Sequence, residues 1–447
     1  MTDTSERPSS VSPLEEIERR ALEVANERNI STSGDETVGA IHSIVTELVE
    51  QWRADYRRGV LPLDLTEPEL VIDRALQNLT GYGPLTEILD DDDVWEIMIN
   101  APDQIFVKRH HGASGYHHES FHDDDHVLRT MTRILDRSSG AHRALDPTAG
   151  LQDAQLDSGA RLHIVHSDIA RGGHMIVNIR KFTGMSFRSL DELTESGTIT
   201  IDAANFLRAA VLSNLSMVFA GIPGAGKTTM LSCCAAELDP SLRVVIAEEV
   251  FESDVPLANV ASMQTRGARP DRPGIQLRDL VGGFLRMAPD VAIVGEVRDK
   301  EALALMMTLS SGVTGFTTIH AGSARQALTR LRFICQLAET SSDIPMNALN
   351  DLVSQAIDVV VHIVRTPEGP RVNQIACVED LTADSGGTSF TMTEIFKRSP
   401  HSGRLEWTGL MPTRAAEEMA NVGIDITQIL PHDAPMPSPD VGPGGQL

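Results

Sequence analysis

Val218-Phe-Ala-Gly-Ile-Pro-Gly-Ala-Gly-Lys-Thr-Thr229 is the stretch that decides the fold. From Gly221 it spells G-x-x-x-x-G-K-T, the spacing of a phosphate-cradling loop. Its flanks have the order such a loop requires. Leu215–Ala220 is a short apolar run that reads as a buried strand, and Thr229–Leu238 reads as a helix stopped by Asp239-Pro240. Gly221, Gly224 and Gly226, with Ile222, Pro223 and Ala225 between them, let backbone N–H groups turn inward on phosphate oxygens. Lys227 is expected to reach the β- and γ-phosphates, Thr228 to hold Mg²⁺, and Thr229 to open the helix whose dipole favours the anion.

A nucleotide loop becomes a hydrolytic site when other strand ends bring acids and a sensor to it. Val291-Ala-Ile-Val-Gly-Glu296 is an apolar strand ending on a glycine and a carboxylate, followed at once by Arg298 and Asp299. Val245-Ile-Ala-Glu248-Glu249 ends likewise, with Glu252 close behind, and Thr317-Thr-Ile-His320-Ala321 places a histidine at a third strand end. Either Glu248 or Glu296 can orient and deprotonate a water, Glu296 can stand behind the metal, and His320 can sense the γ-phosphate. Around these ends strands and helices alternate: Arg243–Ala247, Leu277–Met287, Val291–Val294, Lys300–Ser310, Gly315–Thr318, Arg325–Glu339. That alternation predicts a RecA-like, mostly parallel α/β domain over 199–400, with a hairpin at Asp358–Val378.

The rest divides by composition. Residues 1–12 and 431–447 are polar and Pro-bearing and read as disordered; 13–80 carry apolar residues at helical spacing and form a helical appendage. Residues 81–182 alternate short strands and helices as a smaller α+β, PAS-like domain; 183–198 is a polar linker and 401–430 a C-terminal helical segment. The crowd of His110, His111, His117, His118, His122 and His126 around Asp123–Asp125 fits no tight ligand set, and Gly112–Gly115 reads as a solvated hairpin tip.

The chain has 447 residues, too many for one core, and carries 38 basic against 63 acidic residues for a net charge of −25. A field of that sign with no basic block disfavours nucleic acid as the main substrate. The N-terminus lacks an apolar signal core, and the longest apolar stretch, Phe206–Phe219, is broken by Arg208 and Asn214. The four cysteines form no C-x-x-C pair and read as reduced core residues, so the expected location is cytoplasmic.

With Gly221–Thr228, the acids at 248–252, Gly295-Glu-Val-Arg298 and Thr318-Ile-His-Ala321 in this order, the chain resembles the type II/IV secretion ATPase superfamily. Gly81-Tyr-Gly-Pro-Leu85, Val94-Trp-Glu-Ile-Met-Ile-Asn100, Asp103-Gln-Ile-Phe-Val107, Gly159-Ala-Arg-Leu162, Ile179-Arg-Lys-Phe182 and Leu285-Arg-Met287 are similar to the CpaF-type ATPases of Tad (Flp) pilus assembly. The resemblance runs from about residue 70 to 380. It departs at Glu249 where Asp is usual, at Ala288 where Arg is usual, and at Ile222-Pro223 where Gly-Thr is common. It implies a homo-hexameric ATP-hydrolysing motor docked on inner-membrane platform proteins, peripheral to the membrane through them. It also implies arginines that complete the nucleotide site, here Arg161 and Arg180, with Arg171 a further match. Pilin assembly in a Tad-type pilus is the leading expectation. A conjugation-type secretion ATPase and a non-hydrolysing scaffold are the alternatives.

Overall fold

The computed structural model describes residues 12–30, 37–110, 112–136, 145, 150–156, 158–181, 187–266, 273–338, 344–380 and 390–430; of the disorder expected over 1–12 and 431–447 all but Ser12 lies outside the described residues, and Ser12 is instead ordered as a helix cap. The chain separates into two compact units, Met1–Thr183 and Gly184–Leu447.

The first unit opens with α1 (Pro13–Glu27), α2 (Val38–Arg57) and α3 (Pro68–Thr80). Ser12 starts α1 with a capping box: its hydroxyl accepts the Glu15 N–H at 3.2 Å while the Glu15 carboxylate accepts the Ser12 N–H at 3.1 Å. Ile17, Ile41, Ile44, Val45 and Leu79 fill one core between the three helices. After α4 (Thr86–Asp90) come β1 (Val94–Ala101), β2 (Gln104–Arg109), β3 (Gly115–Tyr116), α5 (Asp124–Asp136), β4 (Leu151–Gln155), β5 (Arg161–Val165) and β6 (Ile176–Arg180). They make an antiparallel six-stranded sheet in the order β3-β2-β1-β6-β5-β4. Alternate residues of its strands, such as Ile97, Ile99, Leu162, Ile164 and Val177, are buried with Val127 and Met131 of α5.

Two histidines of that crowd, His122 and His126, have structural places. His122 holds α1 to this sheet domain through Glu18 at 3.1 Å and Glu15 at 3.3 Å, and these carboxylates raise its pKa. His126 beside it is 1% exposed, and burial, with His122, Arg129 and Arg133 nearby, pushes its pKa down to about 3. Below pH ~6.5 the unfolded chain takes up a proton that native His126 refuses, so this residue makes the fold less stable as pH falls from 6.5 toward 3. We expect H126Q to flatten the acid side of the stability curve by up to ~1.4 kcal/mol per pH unit, read by urea unfolding between pH 6.5 and 5. An unchanged slope would remove His126 as its source.

The second unit contains α6 (Leu190–Glu195), α7 (Ile201–Leu212), β7 (Met217–Gly221), α8 (Lys227–Ala235), β8 (Val244–Glu248), β9 (Val260–Gln264) and α9 (Leu277–Val281). It continues with β10 (Val291–Val294), α10 (Glu301–Leu309), β11 (Thr314–Ile319), α11 (Ala324–Ala338) and α12 (Met346–Ala356). The C-terminal part adds β12 (Val359–Thr366), β13 (Gly369–Val378), β14 (Met392–Arg398), β15 (Leu405–Trp407) and α13 (Thr413–Asn421). The nine strands run β15-β14-β13-β12-β7-β11-β10-β8-β9. From β12 to β9 all neighbours are parallel, and β13 to β15 extend the sheet antiparallel. Every residue of β7, β8, β10 and β11 is buried, as a parallel sheet covered on both faces requires. One face is covered by α6, α7, α8 and α13, the other by α9 to α12. This is the RecA-like architecture, with the phosphate loop on a central strand.

Three boundaries differ from the sequence expectation. Within the polar linker, Ser189 caps α6 by accepting the Glu192 N–H at 3.2 Å, and Leu190 and Leu193 join the core of the second unit. The helix expected over Leu277–Met287 breaks at Gly282-Gly283 into α9 and a 3₁₀ turn at Phe284–Met287, since two glycines weaken its middle. The sheet also runs past residue 400, because β15 pairs with β14 before the short helix α13 begins.

Candidate active site

The loop between β7 and α8 is shaped by its glycines. Gly224 and Gly226 take left-handed φ of 72° and 88°, which side chains rarely adopt. At Gly221 a Cβ would collide with the Ile363 carbonyl of the adjacent strand β12. Among the described residues the N–H groups of Gly224, Gly226 and Thr228 take no backbone acceptor outside the helix, which leaves them for a phosphate. Lys227 is buried; its ammonium donates to the Ile222 carbonyl at 3.1 Å and stands 3.3 Å from His320 Nδ1.

Strand register brings the other groups to the same edge of the sheet. Ala247 of β8 pairs with Val294 of β10, Val294 with Thr317 of β11, and Ile319 of β11 with Ala220 of β7. Glu248, Glu296 and His320 follow at or just past those ends. Two buried threonines of β11 hold the exit of β10: Thr317 donates to the Val294 carbonyl at 2.8 Å and Thr318 to the Gly295 carbonyl at 2.7 Å. Glu296 is thereby set between His320 and Arg298, with one oxygen 2.6 Å from His320 Nε2 and the other accepting from Arg298 at 2.6 Å. Arg298 reaches on to Glu249 at 3.1 Å. The result is a chain of polar contacts, Lys227–His320–Glu296–Arg298–Glu249.

The two glutamates differ in state. Burial alone would raise the pKa of Glu296, but the hydrogen bonds from His320 and Arg298 outweigh it and hold the carboxyl at about 2. Glu248 is 2% exposed, and burial raises its pKa. Only partial compensation comes from the Ser253 hydroxyl at 2.7 Å and the N–H groups of Ser253 at 3.0 Å and Glu252 at 3.3 Å, all on Oε1. Its Oε2 is buried with no hydrogen-bond partner among the described residues. Such an orphaned acceptor is costly unless something polar is meant to meet it. At Gly295 a Cβ would lie 2.8 Å from Glu248 Cγ, so the glycine between the two strand ends leaves the room Glu248 occupies.

Arg161 and Arg180 lie in the first unit, as cross-strand partners at the start of β5 and the end of β6. Both are half-buried, and Glu96 of β1 pairs with Arg180 on its other side. Arg171 is exposed in the turn between β5 and β6. Sequence reading passed over Ser253, which fixes Glu248; Arg298, noted but given no task; and Arg365, which donates to the Gly224 carbonyl. Arg298 could have been picked out by its position two residues past Glu296. The other two bonds close only in three dimensions.

Residues 78–404 match the family described as Type II/IV secretion system protein. The chain belongs to that family. It is 29% identical over 330 residues to a probable conjugal transfer protein TrbB of Sinorhizobium fredii, covering 70% of this chain and 91% of that protein. To the type IV secretion system protein PtlH of Bordetella pertussis it is 28% identical over 305 residues, 62% and 87% of the two chains. Among solved structures it is similar to the ATPase DotB of Yersinia pseudotuberculosis, at 16% identity over 68% of this chain and 80% of that one, with a TM-score of 0.47. The VirB11 ATPase of Brucella suis matches at 23% identity over 65% and 94%, with a TM-score of 0.34. At such scores the likeness adds nothing to the strand order already described. Among the described residues of this family member, no helix is long and apolar enough to cross a membrane.

Proposed function

We propose that the chain is an ATP-hydrolysing motor of a secretion-type machine, with Glu248 as the base. The observation that carries this is the buried carboxylate of Glu248, fixed through Oε1 and orphaned at Oε2 at the edge of the sheet that bears the phosphate loop. A carboxylate whose pKa is raised takes a proton from water more readily than one held at about 2, so Glu248 rather than Glu296 receives the proton at Oε2. The N–H groups of the loop and Lys227 bind the phosphates, and His320 reads their charge through its contact with Lys227. Thr228, with Glu296 behind it, would hold Mg²⁺, which supplies charge neutralisation at the phosphate oxygens when bound. The loop N–H groups that take no backbone acceptor among the described residues fit the phosphates that the ion would accompany. Arg161 and Arg180 are proposed to meet phosphate charge in an assembled homo-hexamer working at inner-membrane platform proteins.

Two cargoes are in play. The motifs at Gly81–Leu85 and Val94–Asn100 favour a Tad-type pilus, whereas the similarity to conjugal transfer and type IV secretion proteins favours conjugation. Pilin and platform genes beside this gene would support the first, a relaxase gene the second. The activity itself is tested by Mg²⁺-dependent phosphate release from ATP by the purified full chain. Nucleotide binding without turnover in an assembled particle would leave only a scaffold.

A further inference from the structure

The phosphate loop is held from a distance. Ile363, Arg365 and Pro370 lie on the β12–β13 hairpin, and each meets a different glycine of the loop. The Ile363 carbonyl lies where a Cβ of Gly221 would be, and Pro370 Cβ and Cγ stand 3.3 Å from the Cβ position of Gly226. Arg365, 141 residues downstream, donates to the Gly224 carbonyl at 2.9 Å. The peptide that follows Gly224 is held at its other end too, since the Ala225 N–H donates to the Ile222 carbonyl at 3.2 Å. With both ends of that peptide occupied, its plane is fixed. The N–H groups on either side, at Gly224 and Gly226, keep no protein acceptor among the described residues.

We propose that Arg365 is a positioning residue for phosphate binding: its guanidinium fixes the Gly224–Ala225 peptide so that the loop is preorganised before nucleotide arrives. This rests on the nucleotide-binding reading above. The physical reason is the conformational freedom of the loop. Three glycines with no side chains to anchor them would otherwise sample many backbone states, and ordering them on binding would weaken affinity. A charge-assisted hydrogen bond to one carbonyl removes much of that freedom. Arg365 acts through the loop, so it contributes to ground-state and transition-state binding alike and should leave the chemical step nearly intact.

The experiment is ADP and ATP binding by calorimetry, with steady-state kinetics, on the full chain as wild type, R365M and R365K. We expect R365M to weaken ADP binding and raise KM roughly tenfold with kcat within about twofold, and R365K to recover much of the affinity. Amide hydrogen exchange at Gly224–Gly226 should quicken in nucleotide-free R365M. If wild type binds no nucleotide, the functional reading itself fails. If wild type binds and R365M binds equally well, the proposal fails alone. A fall in kcat at unchanged KM, or R365K as weak as R365M, would also overturn it. A melting curve for each variant separates these outcomes from unfolding, and unfolded R365M together with wild-type-like R365K affinity still supports a cationic hydrogen-bond donor to the Gly224 carbonyl.

Discussion

Replacing Glu248 by Gln should leave nucleotide binding within a fewfold of wild type and lower kcat by roughly 10²–10⁴-fold. Gln keeps the shape of the side chain and can still meet Ser253, so folding is little disturbed. What it loses is the ability to take a proton at Oε2, the atom left without a partner among the described residues. The wild-type pH profile carries a second mark of the same residue. The Glu248 pKa is raised above 4.5 by burial, so the acid limb of kcat should fall at a pH above the ordinary carboxylate range. Turnover by E248Q close to wild type would assign the base elsewhere, with Glu296 the next candidate. Stopped turnover with lost binding would instead make Glu248 a structural acid.

Glu296→Gln should cost stability first. The acid is mostly buried, with 22% of its side chain exposed, and sits between His320 and Arg298, so removing its charge leaves the Arg298 guanidinium and the His320 ring facing a neutral amide. A carboxyl at about 2 in the folded chain against 4.5 unfolded contributes on the order of 3 kcal/mol at neutral pH. Because its folded pKa is depressed, the contribution is fully present above about 4.5 and is lost as pH falls through about 2. The gap in unfolding free energy between wild type and E296Q should therefore be largest near pH 7 and shrink by more than half at pH 3. A gap that does not change with pH would show that the ion pairs contribute nothing specific. Turnover should also fall in E296Q, through looser placement of His320 and Arg298, but less than in E248Q.

Much of the fold was legible in one dimension. The strand–loop–helix order around Gly221–Thr229 and the apolar runs ending at Glu248, Glu296 and His320 appear where expected, because a doubly covered parallel strand must be apolar throughout and can turn polar only at its end. The errors fell where local signals were weak: a three-residue strand at Leu405–Trp407, a capped helix inside a polar linker, and a helix interrupted at Gly282-Gly283. In each case pairing or packing with distant residues decided the local state.

By itself the sequence determined that the chain carries a phosphate loop on a parallel α/β sheet, and which side chains stand at the strand ends beside it. Only the tertiary structure decided what those side chains are. Glu248 and Glu296 look alike as letters, each an acid after a short apolar strand. Folding buries one with a free oxygen and sets the other between a histidine and an arginine. Their proton affinities then part in opposite directions, because desolvation and nearby charge are properties of contacts across strands rather than of neighbours along the chain. The same holds for the loop itself. Its glycines are visible in the sequence, but the bond from Arg365 that holds one of them exists only once β12 lies beside β7.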